Sequence, residues 1–214
     1  MNILLVDDHP MIVEGYKNVL LNSDLANQNP VFTTAFSCDD AYKAIVDQIP
    51  YHLAIIDKSL PGSTQHSLTS GSDIAMLIQK NMPNCKIIII TAHFEVLVIY
   101  EIVKKVKPDG LVIKSEIDPE NLPQIVNEVL QGNIFQSPMV KSCIQEIWKK
   151  DLMIDDYNRQ ILMYLSKGFK IRELDNFINL TTSSIQKRII QMKKAFDVSD
   201  DTGLVKEAII QGFI

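Results

Sequence analysis

The chain has 214 residues, room for one large domain or two small ones at roughly 100–200 residues per domain. It is 46% hydrophobic and 22% charged, which supports a buried core and excludes a mainly disordered chain. The net charge of −5 is uneven: residues 1–131 carry 9 Lys/Arg against 16 Asp/Glu, residues 132–151 carry 3 against 2, and residues 152–214 carry 9 against 8. An acidic front and a mildly basic back predict two domains with different partners. No apolar run approaches ~18 residues, so no membrane-spanning helix is expected. The start MNILLVDD lacks the basic region and longer apolar stretch of a secretory signal. Cys38, Cys85 and Cys143 are scattered, with neither a disulfide framework nor zinc spacing. These features predict a cytoplasmic protein with no membrane partner.

Five short apolar runs punctuate the first half: Ile3–Val6, Val31–Phe36, Leu53–Ile56, Ile87–Ile90 and Leu111–Ile113. They are too short for helices and do not alternate cleanly, which predicts strands buried on both faces. Helical patterns separate them: Met11–Leu21, Asp39–Ile49, a third helix after Gly71 marked by Ile74, Leu77 and Ile78, then Phe94–Val106 and Asn121–Leu130. The alternation predicts an α/β domain with a doubly wound, five-stranded parallel sheet over residues 1–131. The polar stretch between Asp57 and the third helix is long for a compact domain, and loops beyond ~12 residues are usually functional or mobile.

Past Gly132 the strand pattern stops. Residues 132–151 are expected to be a linker, partly helical after Ser137-Pro138. Residues 152–214 read as a second, smaller all-α domain of four short helices. Asp155 caps the first and Gly168 ends it. A second covers about 170–178, a third runs from a cap at Thr181 or Thr182 to about Ala195, and a fourth covers about 202–211.

Each informative strand of the first half ends in a polar group: Asp7-Asp8, Asp57, Thr91 and Lys114. In an open α/β sheet ligands bind beyond the carboxyl ends of the strands, so these side chains should converge. Three carboxylates in one cleft need a cation or raised pKa values. Hard oxygen ligands suit Mg²⁺, which commonly pairs with phosphate oxygens. Thr91 and Lys114 would bind the remaining oxygens of a phosphoryl group, and Asp57, alone at a central strand end, is the natural nucleophile for an aspartyl phosphate. Each signal is weak singly; the right residue type at four strand ends is much more specific.

The segments VDDHP at 6–10, IIDKSLPG at 55–62, ITAH at 90–93 and VIKS at 112–115 resemble the receiver domain of bacterial two-component response regulators. The resemblance covers residues 1–131. It implies that Asp57 accepts phosphate from a sensor histidine kinase, that Asp7, Asp8, Asp57 and the Ser59 carbonyl surround Mg²⁺, that Thr91 is the switch hydroxyl and that Lys114 pairs with the phosphate. Two departures stand out. Leu111 occupies the position of the usual switch aromatic, and the loop from Pro61 to Gly71 is about six residues longer than that family's.

On a helix at ~100° per residue, Ile185, Ile189, Met192 and Phe196 fall together as an inward stripe, while Ser183, Lys187, Ile190, Gln191 and Lys194 face outward. Residues 182–194 hold Lys187, Arg188, Lys193 and Lys194 and no acid. Such a helix after a tight turn suits the major groove, with Lys on phosphate or guanine, Gln on adenine and Ile190 on a thymine methyl. A solvated basic face is the plain alternative. The run YLSKGFKIRELDNFINLTTSSIQKRI resembles the LuxR-type (NarL/FixJ) helix-turn-helix, which implies promoter DNA as partner and adds Gln186, where that family usually has lysine. Asp175 and the stretch Asp155-Asp156-Tyr157-Asn158 also depart from its pattern.

The combined reading is a response regulator, not an enzyme: phosphorylation at Asp57 controls a DNA-binding domain that acts as a homodimer, since two half-sites multiply a weak single contact. Leu97 and Val98, apolar yet on the polar arc of the helix over 94–106, are the expected interface. One rival is a receiver that serves without phosphate as a dimerisation or ligand module. Another is a phosphatase, disfavoured because Ser59 replaces the second carboxylate that would act as general acid.

Overall fold

The computed structural model describes residues 1–47 and 49–214, which divide into two compact units, residues 1–141 and 142–214. In the first, β1 (Asn2–Val6), β2 (Val31–Ala35), β3 (Leu53–Asp57), β4 (Lys86–Thr91), β5 (Gly110–Ile113) and β6 (Phe135–Gln136) form one sheet in the order β2-β1-β3-β4-β5-β6. Every pairing is parallel. The connecting helices are α1 (Pro10–Leu21), α2 (Cys38–Val46), α3 (Gly71–Asn81), α4 (Val96–Lys105) and α5 (Asn121–Leu130). The apolar runs lack alternation because the strands are covered on both faces: every residue of β3 and β5 is buried. Ile3, Leu5, Leu53, Ile55, Ile88 and Val126 are core residues of this unit.

Local chemistry sets the helix starts. Pro10 opens α1, where a missing N–H costs nothing. The Ser37 hydroxyl accepts from the Asp40 amide at the head of α2. That helix ends at Val46, short of the expected Ile49; Gln48, within the expected span, lies outside the described residues.

Three features depart from the expectation. The sheet has a sixth strand. Phe135–Gln136 pairs along β5, and the buried Ser137 accepts from the Ile113 amide through Oγ at 3.2 Å. The residues expected to be a linker therefore begin as sheet edge and continue as α6 (Pro138–Ile154), within which the division between units falls. The long loop after β3 is an ordered tongue. Ser63 and Leu68 form an antiparallel bridge, and the His66 ring stacks on Tyr42 of α2, with centroids 3.7 Å apart.

The second unit holds α7 (Asp156–Ser166), a 3-10 turn (Ile171–Asn176), α8 (Thr182–Phe196) and α9 (Asp201–Ile210). Its core includes Ile161, Leu162, Leu174, Ile185, Ile189 and Met192. Asp155 caps α7 by accepting from the Tyr157 and Asn158 amides, Thr181 caps α8, and Gly168 follows α7 at φ +86°, the left-handed value that glycine adopts without cost. The third departure is the element expected as a helix over 170–178. It is a 3-10 turn because Asp175 and Asn176 favour side-chain bonds over helix: the Asn176 amide donates to Glu173 O, and Asp175 takes the Thr182 hydroxyl.

Candidate functional site

Strand register brings the four polar groups together. Val6 pairs with Ile56, so Asp7 and Asp57 stand at neighbouring ends of β1 and β3. Asp57 pairs with Ile90 and Thr91 with Ile113, which sets Thr91 beside Asp57 and Lys114 next in line. β1 lies between β2 and β3, so the crevice forms where the winding direction reverses, the usual ligand position in such sheets.

Asp7, Asp57 and Thr91 are buried. The Lys114 ammonium lies 2.8 Å from Asp7 Oδ2 and 3.2 Å from Asp57 Oδ1. The Ser59 amide donates to Asp57 Oδ2 at 2.8 Å. Burial pushes the Asp57 carboxyl above its ordinary pKa; Lys114 and the Ser59 amide oppose this, while the charge of Asp7 adds to it. For Lys114 burial pulls the other way but is outweighed by hydrogen bonds and charge from Asp7 and Asp57, so its pKa is raised. Asp8 is half-buried. Its Oδ1 atom is shielded from solvent and lies 2.7 Å from His9 Nδ1. Thr91 Oγ1 accepts from the His93 amide at 3.0 Å.

Two neighbours were not foreseen. His9 donates its amide to Asp7 Oδ1 at 2.9 Å and sets its ring nitrogen 3.1 Å from the same atom. Its position after two acids was the available signal. Tyr16, one α-helical face further on, has its phenol held well above the ordinary value by burial and by the charges of Asp7 and Asp57. Nothing in the sequence pattern marks it. Leu111 is buried in β5 between Ile89 and Gln136.

Chemically, the crevice offers carboxylate oxygens, a cation, a hydroxyl and a backbone amide. That donor set fits a divalent cation and a phosphoryl group side by side. Asp7, Asp8 and His9 present ligand atoms within 4.8 Å of one another.

In the second unit the helical phase of α8 is as expected. Ile185, Ile189, Met192 and Phe196 are buried, while Ser183, Gln186, Lys187, Ile190, Gln191 and Lys194 are exposed. The charge distribution is not. Arg188 Nη1 donates to Asp155 Oδ2 at 2.8 Å and to the buried Asn158 Oδ1 at 2.9 Å. Lys193 pairs with Asp201 at 3.0 Å. Two of the four cations thus tie the unit together, and Lys187 and Lys194 carry the exposed charge of the outer face.

On α4, Leu97 is 77% exposed and Phe94, just before the helix, 59%. Val98 is only half-buried. The buried pair is Ile99 and Ile102, while Val96, Tyr100 and Val103 are half-buried.

Residues 3–127 match the response regulator receiver domain family. Over 213 residues the chain is 24% identical to the transcriptional regulatory protein RcsB of Salmonella typhi, covering 96% of this chain and 92% of that protein. It is 25% identical over 226 residues to the transcriptional regulatory protein ComA of Bacillus subtilis, covering 99% of each. Among solved structures, Salmonella typhimurium RcsB aligns with TM-score 0.59 at 20% identity, covering 98% of both chains. A complex of RcsB with DNA gives 0.57, also at 20% and covering 98% of both. At these identities the likeness is one of fold.

Proposed function

From the membership of this chain in the response regulator receiver family, we propose that it is a DNA-binding transcription regulator controlled by phosphorylation of Asp57 from a sensor histidine kinase. The observation that carries this reading is the Lys114 ammonium set between Asp7 and Asp57. It marks a pocket built for two negative groups to share a cation. An Asp57 oxygen attacks the phosphorus of a phosphohistidine; the O–P bond forms as the P–N bond breaks, and its electron pair leaves with the imidazole. Lys114 moves from carboxylate to phosphoryl oxygen, and the Thr91 hydroxyl meets another of those oxygens. Asp7, Asp8, Asp57 and the Ser59 carbonyl would hold Mg²⁺. Bound there, it neutralises charge on the transferring group and orients its oxygens. The Asp7, Asp8 and His9 ligand atoms, all within 4.8 Å of one another, support a cation at that position. The chain turns over no substrate of its own, in keeping with relatives that are transcriptional regulators.

The outer face of α8 reads duplex DNA, with Ser183, Gln186, Lys187, Ile190, Gln191 and Lys194 in contact. The solved RcsB–DNA complex, whose fold this chain shares, supports that reading, and two RcsB dimers bound to DNA support a homodimer. Leu97, with Phe94 beside it and Val98 at the margin, is the apolar face offered for self-association. No helix among the described residues is long and apolar enough to cross a membrane, and we place the protein in the cytoplasm with its kinase's phosphorylated histidine.

Incubation with acetyl phosphate and Mg²⁺ tests the core of this proposal. One phosphoryl group should appear by mass on the wild type and none on Asp57→Asn or after chelation. Equal labelling of Asp57→Asn would remove it. An unlabelled wild type that still binds DNA would favour the phosphate-independent reading, which the aromatic-free Leu111 position supports.

A further inference from the structure

We propose that the second half of α6 is part of the nucleic-acid surface of the second unit, with Trp148 as a positioning residue that holds Lys194 ready for a backbone phosphate of duplex DNA. The inference deepens the DNA-binding reading of α8 and rests on it.

Four observations carry it. Lys194 and Gln191 of the outer face of α8, with Lys187, line a groove whose opposite wall is Trp148, Asp151 and Leu152 of α6. Lys194 Nζ lies 5.7 Å from the centroid of the Trp148 ring. In the reverse sense, Lys149 Nζ of α6 lies 5.5 Å from the Phe196 ring of α8. The two helices are thus joined by exchanged cation–aromatic contacts, and Arg188 of α8 pairs with Asp155, which follows α6 and caps α7. The charge is complementary to DNA at the rim. Arg188 is held by Asp155, so Lys187 and Lys194 supply the positive charge of the groove, and α6 contributes through the Trp148 ring rather than through charge.

The physical consequence concerns entropy. A lysine free to sample its rotamers loses that freedom when it meets a phosphate. A lysine already resting on an indole face keeps its charge and its free N–H groups, and has less freedom to lose. Trp148 is half exposed and is the only tryptophan of the chain. A core role would bury it; a platform at a groove rim leaves it as observed.

The test is a double-mutant cycle in the full-length protein, with DNA affinity measured against salt for wild type, Trp148→Ala, Lys194→Ala and the pair, and with Lys187→Ala as a second control. Lys194→Ala should lower the salt slope by about 0.9. Trp148→Ala should weaken binding about two- to fivefold with the slope kept, and should have no effect once Lys194 is alanine. Trp148→Phe, which keeps a ring, should recover part of the loss and guards against a folding artefact. Trp148 emission should shift on DNA binding in the wild type and not in Lys194→Ala. Equal losses from Trp148→Ala on both backgrounds, or no loss at all, would overturn the proposal while leaving α8 as the reading helix. Unchanged salt-dependent binding in both Lys187→Ala and Lys194→Ala would overturn the α8 reading itself.

Discussion

Gly71 is packed against the main chain of Asp57: a Cβ at position 71 would lie 2.0 Å from the Asp57 carbonyl oxygen and 2.9 Å from its carbonyl carbon. The Gly71 amide also donates to Lys58 O at 3.0 Å. The tongue between Pro61 and Gly71 therefore returns to a fixed point under Asp57, however long it is.

Gly71→Ala cannot be relieved by a side-chain rotation, because the neighbour is backbone. Overpacking of this kind costs roughly 1–3 kcal/mol or more, and here it would shift Asp57 relative to Lys114. We expect a thermal midpoint several degrees lower and slower labelling by acetyl phosphate. A deletion within 64–67 that spares Gly71 should label at the wild-type rate. Normal labelling by Gly71→Ala would show that Asp57 tolerates the displacement.

Arg188→Ala separates two roles that charge alone had merged. Removing Arg188 strands the buried Asn158 Oδ1 and takes the charged partner from Asp155 Oδ2, and an unsatisfied buried acceptor costs about 1–3 kcal/mol. The expected result is a lower unfolding midpoint of the second unit, with the salt slope of DNA binding in the surviving folded fraction unchanged. Lys187→Ala should do the opposite, weakening binding and flattening the slope by about one unit with no loss of stability. Equal stability of Arg188→Ala and wild type would place Arg188 with the DNA contacts after all.

The site at the strand ends was legible because each of its members terminates an apolar run: the run locates the strand, and the parallel order brings the ends together. The sixth strand was not, since two residues carry no period and Phe135–Gln136 pair only because β5 offers an open edge. Helix α4 is apolar nearly all round, so the sequence does not single out its buried pair, Ile99 and Ile102. The roles of Arg188 and Lys193 were hidden for another reason. Their charges are visible, but the partner of Arg188 is 33 positions away, and only packing tells a bonded arginine from one that faces solvent.

Leu97→Glu should test the apolar face of α4 more cleanly than a change at both positions. Leu97 is mostly exposed, whereas Val98 is half-buried and a charge there would also disturb packing. The variant should keep its stability within about 0.5 kcal/mol, as surface substitutions usually do, and should still accept phosphate on Asp57. Sedimentation of the phosphorylated form should show weaker self-association than wild type. An unchanged association constant would assign dimer formation to another surface.

Acid should loosen the second unit through Asp155. Its carboxyl accepts from Arg188 and from the amides of Asn158 and Tyr157, and the hydrogen bond to Arg188 is the largest cause of a pKa held below the ordinary carboxylate value; partial burial opposes it. A depressed native pKa means the unfolded chain binds the proton first as pH falls. The stabilisation is therefore complete above the unfolded-state pKa of ~3.9 and is lost as pH drops through the lower native value. Asp155→Asn keeps an acceptor for the helix cap but not the charge, so it should remove this pH dependence while costing only part of the ~1 kcal/mol that a cap contributes. Asp155→Ala removes both. Urea unfolding followed by Trp148 fluorescence at pH 7 and at pH 3 would separate them. Wild type should lose more stability between the two pH values than either variant does, and parallel losses in all three would mean that the Asp155–Arg188 pair is not what acid breaks.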